Sequence, residues 1–213
     1  MTRYLAIATA VLLTALTAGC ASMGAPAAVT PAYATSPPSG PAPAASPDAP
    51  VLQQVHDPGR VTGTLAGTCR FRGQVPDELP DPRCTPGAYD PSVTAAVLCS
   101  GSYDTASYRA VEDGPDGTER FKYDVAYPAY GVPQDTKTEL DHLVPLELGG
   151  ANAASNLWPE SPPTPNPKDD VEDRLHDWVC EVSGAAAQAR LTAAQRAIAA
   201  DWLTAEQVLG VRS

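Results

Sequence analysis

From residue 21 to residue 50 the chain is almost entirely Ala, Pro, Ser, Thr and Gly, and Asp48 is the only charge. So little apolar side-chain mass cannot form a core, and the prolines bias the backbone toward extended polyproline II. At ~3.1 Å per residue this segment reaches roughly 90 Å, the length of a tether. Folding is thereby confined to the C-terminal part of the 213-residue chain, about 155 residues, which suits one domain with a real hydrophobic core. The expected organisation is a leader over 1–19, a flexible tether over 20–58, a Cys/Gly/Pro-rich part over 59–135, and a hairpin-and-helix part over 136–213.

Ahead of the tether, Arg3 supplies a short positive region, and residues 5–16 form an apolar stretch of about a dozen residues. That is too short to span a ~30 Å hydrocarbon core. The stretch ends Thr17-Ala18-Gly19-Cys20. This resembles the lipobox of bacterial lipoproteins, although Thr17 stands where that motif usually has Leu. The resemblance implies that Cys20 carries a lipid, becomes the mature N-terminus and anchors the chain to the membrane. A plain secretory signal cut at the same small residues is the alternative. Both put the mature chain outside the cytoplasm.

Four further cysteines follow, Cys69, Cys84, Cys99 and Cys180. An even number in an exported domain implies two disulfides. No CxxC or clustered Cys/His spacing suggests zinc. Of the three connectivities, Cys84–Cys99 with Cys69–Cys180 is expected. Fourteen residues separate the inner pair, a loop whose closure stabilises by about 3 kcal/mol in the chain-entropy model.

The clearest predicted helix follows Asn166, with Pro167 first, Asp169, Asp170 and Glu172 near its positive end, and Val171, Leu175, Trp178 and Val182 on one stripe. Ser183-Gly184 is read as its end. A second helix is expected from near Thr192, burying Leu191, Ala194, Ile198 and Trp202, and Thr204 with Gln207 suggests a capping box. Residues 95–98 read as a strand or helical turn, and 120–130 as either helix or extended chain. Residues 139–148 alternate loosely and end in Gly149-Gly150, a strand–turn–strand signal.

The run ELDHLVPLELGG over 139–150, then Asn156-Leu157 and an acidic helix, resembles the HNH endonuclease pattern. Asp141, His142, Gly149-Gly150 and Asn156-Leu157 match it in type, order and spacing. The stretch from Pro82 to Trp202 is also similar to a group of exported actinobacterial proteins with an HNH-like core. That similarity rests on Cys84, Gly131, the motif at 141–150, the run NLWPE at 156–160, Lys168-Asp169, Glu172, Cys180 and Ala194-Gln195.

The resemblance implies an α+β domain with a ββα-metal core and C-terminal helices, hydrolysing phosphodiester bonds. His142 would be the general base, Asp141 a metal ligand, and Asn156 the residue that orients the imidazole or fixes the loop. The implied cofactor is a divalent metal, Mg²⁺ first, with Mn²⁺ or Ca²⁺ as alternatives; no small-molecule cofactor is expected. Asn166 holds the position where the family usually has a helix histidine, so it is the candidate second ligand, with helix capping as its competing role. Glu172 or Asp169 are alternatives. His176 is expected to be a surface residue on the acidic face, and His56 to have no role.

Charge argues against a nucleic-acid partner. Without Arg3 the 14 basic residues become 13, against 25 acidic ones. From residue 135 onward 6 basic residues face 13 acidic ones, where phosphate contacts need the reverse. An HNH scaffold that binds a protein, glycan or metal without hydrolysis, and a structural envelope lipoprotein, are therefore the other function classes.

Overall fold

The computed structural model describes residues 50–56, 59–65, 67–161 and 166–211, all within one compact unit, Ala44–Ser213. The leader, Cys20 and most of the tether lie outside the described residues. Helices and two small sheets, with two disulfides, make this an α+β domain.

The first sheet pairs β1 (Gln53–Gln54) in parallel with β2 (Ala88–Tyr89). Gln53 N donates to Gly87 O and Val55 N to Tyr89 O. The domain therefore begins inside the segment read as tether. Only backbone atoms make these contacts while both glutamines stay exposed, so no apolar pattern marks the strand.

After β2 comes α1 (Ala95–Leu98), capped by Thr94, then a 3-10 turn at Thr105–Tyr108. The undecided segment is helical: α2 (Thr118–Arg120) runs through a π-helical stretch, Phe121–Ala126, into α3 (Tyr127–Tyr130). Gly131, at φ +68°, ends it in the left-handed region.

The second sheet is antiparallel, β3 (Glu139–His142) against β4 (Leu157–Glu160), pairing Asp141 with Trp158 and His142 with Leu157. Between them the chain makes a 3-10 turn at Leu146–Leu148, reverses at Gly149-Gly150, and makes a second turn at Ala154–Asn156. Gly149 has φ +73°. A Cβ on Gly150 would lie 1.8 Å from Val144 O, so this backbone approach admits glycine alone.

Helix α4 (Pro167–Cys180) starts as expected: Asn166 Oδ1 accepts from Lys168 N at 3.0 Å, and Pro167 is first. Its buried stripe is Val171, Leu175 and Val179; Trp178 is only partly buried, its ring covered by Arg190 with 4.7 Å from the guanidinium to the centroid. Helix α5 (Gly184–Ala200) begins eight residues before Thr192, directly after Ser183. Its early alanine run, with a single buried position at Ala187, has good helix propensity but almost no apolar stripe. Leu191, Ala194 and Ile198 are buried as expected, and Trp202 just beyond α5 is 2 % exposed. Helix α6 (Ala205–Leu209) follows Thr204, whose side chain makes no capping hydrogen bond. Trp158, Tyr127, Leu143, Leu157, Leu175 and Ile198 are among the largest fully buried side chains, the large aliphatic ones each stabilising by about 1.5–3 kcal/mol.

All four cysteines are in disulfides, but the pairing expected above is corrected. Cys69 joins Cys84 and Cys99 joins Cys180. The chain doubles back through the bridge between Arg72 and Leu79, bringing the Cys69 and Cys84 Cα atoms to 5.9 Å. Cys99 ends α1 and Cys180 ends α4, and packing of these helices sets their Cα atoms 5.4 Å apart. In the chain-entropy model the Cys99–Cys180 bond, spanning 81 residues, is worth about 4.5 kcal/mol and the shorter one about 3. Non-reducing peptide mapping is expected to recover these two pairs, and a Cys99→Ser/Cys180→Ser double variant should melt below a Cys69→Ser/Cys84→Ser one. Recovery of a peptide joining Cys84 to Cys99 would contradict the fold.

Candidate active site

Strand β3 delivers Asp141 and His142 to a cleft of about 250 Å³ that the first half of α4 also lines, with Asp169, Glu172 and Asp173. Arg109, Glu139 and Glu147 complete the charged lining. Although neighbours in a regular strand diverge, both Asp141 and His142 reach the cleft, because β3 ends at His142.

The imidazole is held from behind. Asn152, 1 % exposed, donates from Nδ2 to the backbone carbonyl of Tyr108 at 2.6 Å. Its Oδ1 therefore faces His142 Nε2 at 2.8 Å and accepts from it. This network assigns the tautomer: the proton is on Nε2 and the lone pair on Nδ1. Burial lowers the His142 pKa below its ordinary 6.5, against the opposing effects of the Asn152 hydrogen bond and Asp141, so the ring is neutral at pH 7. Tyr108 is itself located by stacking on Tyr103, with ring centroids 4.8 Å apart, and Tyr103 OH donates to Leu146 O at 2.7 Å.

Asn156 does something else. Fully buried, it accepts at Oδ1 from Ala88 N (3.1 Å) and Val144 N (2.9 Å), and donates from Nδ2 to Val144 O (2.9 Å) and Ala151 O (3.0 Å). Two donors and two lone pairs are all used on backbone. Of the two roles expected for it, Asn156 has loop fixation; Asn152 orients the imidazole.

Asp141 is occupied. Its Oδ2 accepts from Trp158 Nε1 at 3.0 Å and lies 2.8 Å from Lys168 Nζ. Lys168 is fully buried in the first turn of α4, and its ammonium also meets Glu172 Oε1 and, at 3.0 Å, the backbone carbonyl of His142. Burial alone would lower the lysine pKa; Asp141, Glu172 and Glu160 overcome this and raise it. The same burial, reinforced by Asp141, pushes both Glu160 and Glu172 upward, with Lys168 opposing.

Asn166 is not part of the cleft lining. Its Oδ1 caps α4 and its Nδ2 donates to Glu160 Oε2 at 3.0 Å. The pair expected to hold a metal, Asp141 and Asn166, does not fit one: Asp141 Oδ2 is taken by Trp158 and the Lys168 ammonium, both amide atoms of Asn166 are bonded to protein groups, and Asn166 is outside the cleft lining. Among the described residues no group of three His, Cys, Asp or Glu side chains is arranged to hold a metal ion. His176 is half-buried on α4, 3.8 Å from Cys180 Sγ and outside the cleft lining, and His56 is exposed.

Asn152, Lys168, Glu160 and Arg109 were not among the site residues read from the sequence. One signal was available for Lys168, a cation in the first helical turn, where the helix dipole disfavours positive charge. Asn152 had none, because the HNH-like spacing points past it to Asn156.

The two disulfides indicate an oxidising, extracytoplasmic environment, and among the described residues no helix is long and apolar enough to cross a membrane. No protein-family model matches the chain, and neither a curated protein nor a solved structure does.

Proposed function

We propose that this chain is an exported phosphodiester hydrolase of the HNH type, anchored through a lipid on Cys20, with His142 as the general base. The observation that carries the reading is the relay from Tyr108 O through Asn152 to His142 Nε2. It keeps a neutral imidazole in one tautomer on the wall of a cleft, with Nδ1 available to take a proton from water. The hairpin–helix order of β3, β4 and α4 is consistent with a ββα core. Arg109 is the cationic side chain in the lining that would face a phosphate. No step is assigned to a divalent ion, because Asp141 and Asn166 do not fit one.

The test is cleavage of plasmid, single-stranded DNA and RNA by the full exported chain, in Mg²⁺, Mn²⁺ and EDTA arms, beside His142→Ala. Cleavage that disappears in the variant supports the reading. Failure of the folded wild type to cut any of these substrates ends it.

A second reading, an HNH scaffold that binds without hydrolysis, is favoured by one observation. Six acidic side chains line the cleft against the single Arg109; burial pushes Glu172 toward its neutral form and Lys168 offsets Asp141, which leaves Glu139, Glu147, Asp169 and Asp173 as the excess of acidic groups. Such a surface repels polyphosphate and attracts cationic protein or glycan groups.

The anchor has its own test. Cys20→Ser is expected to move the protein from the membrane fraction to the soluble exported fraction. Unchanged membrane association would show that lipid on Cys20 does not hold it.

A further inference from the structure

Lys168 is in a place where physical chemistry resists a cation. It is 0 % exposed, and it occupies the first turn of α4, at the positive end of the helix dipole. It is kept there by carboxylates reaching in from two elements, Asp141 on β3 and Glu172 one turn along α4. An ammonium has three protons, and all three have acceptors: Asp141 Oδ2 at 2.8 Å, Glu172 Oε1, and the carbonyl of His142 at 3.0 Å. No proton remains for a substrate. A hard divalent cation on Asp141 would have to sit about 2.0–2.6 Å from a carboxylate oxygen, crowding a positive charge already within 3 Å of Oδ2.

We propose that the Lys168 ammonium is the resident cation of this site, filling the place between β3 and α4 that a divalent metal would otherwise take and closing Asp141 to one. In that place it is a positioning residue. It bonds to the His142 carbonyl, so it holds the strand end that carries the imidazole, and it ties Asp141 on β3 to Glu172 on α4 through one ammonium. The inference stands apart from the phosphodiester reading: a domain that only binds would have the same internal cation.

The test reads metal binding, which a merely structural lysine would not control. The full exported chain is titrated with Mn²⁺ by electron paramagnetic resonance and melted in Mn²⁺, Mg²⁺ and EDTA. The wild type is expected to bind no Mn²⁺ at this site and to melt within about 1 °C in all three conditions. Lys168→Ala, which empties the space between two carboxylates, should melt lower in EDTA. It should regain roughly 5–10 °C at Mn²⁺ a hundredfold above its dissociation constant, and Asp141→Asn in that background should remove the gain. Lys168→Met, apolar and of similar length, should lose stability without gaining Mn²⁺. Wild-type Mn²⁺ binding that Asp141→Asn abolishes would overturn the proposal, as would a folded Lys168→Ala protein that takes up no ion. The wild-type titration decides the matter even if Lys168→Ala does not fold.

Discussion

Asn156→Ala is expected to unfold the domain. The side chain is fully buried and all four of its hydrogen bonds go to backbone groups of the segment that carries the site. Alanine would leave Ala88 N, Val144 N, Val144 O and Ala151 O without these partners in a closed loop. A buried polar group stripped of its partner costs about 1–3 kcal/mol. Four together come to about 4–12 kcal/mol, against a total stability of about 5–15 kcal/mol for a domain of this kind. Relaxation of the loop is restricted by Gly150, already packed so that a Cβ would meet Val144 O. The measurement is a urea melt followed by far-ultraviolet circular dichroism, with Asn156→Asp as a companion that keeps the accepting oxygen but sets its second oxygen against the carbonyls of Val144 and Ala151 and should also be strongly destabilised. An Asn156→Ala protein that melts like the wild type yet has lost activity would show instead that the amide acts on the chemistry.

His142→Ala should do the opposite, sparing the fold and removing the chemistry. Its ring is half-buried at a strand end, and its loss removes one hydrogen bond, to Asn152. The net stability cost is about 1 kcal/mol, a drop of a few degrees in melting temperature. A general base typically contributes 10²–10⁴-fold, so cleavage should fall by about that factor at unchanged folded fraction. The pH dependence carries the same signature. A base must be neutral, and burial holds His142 below 6.5, so wild-type activity should rise with pH through a value under 6.5 and be level at neutrality. The stability effect runs with the same sign. With the folded pKa depressed, the unfolded chain takes up the proton more readily, so stability is lost as pH falls from about 6.5 through the folded value. Activity of His142→Ala within threefold of the wild type would remove His142 from the mechanism.

The features legible before folding are local ones. Asn166, Pro167 and the acidic first turn define where α4 starts, because capping needs only neighbouring residues. Gly149-Gly150 marks the reversal, because a left-handed φ and a close backbone approach each exclude a side chain. The Asp141-His142 pair stands out through the resemblance of residues 139–157 to the HNH pattern, and both residues line the cleft.

Tertiary structure decided the rest, through contacts between residues far apart in the chain. Cys99 meets Cys180 only because α1 packs beside α4, and Cys69 meets Cys84 only because the chain doubles back at Arg72 and Leu79. Asn152 and Asn156, four residues apart and identical in chemistry, take different roles because one reaches the imidazole and Tyr108 while the other is enclosed by four backbone groups. In the sequence Lys168 figures only beside Asp169 in the group resemblance, with no role of its own. Folding carries it against Asp141, 27 residues earlier, and there the carboxylates outweigh the cost of burying a cation. Hydrogen bonds and ion pairs of this kind depend on separations of about 3 Å between elements, and those separations exist only once β3, the loop and α4 have packed.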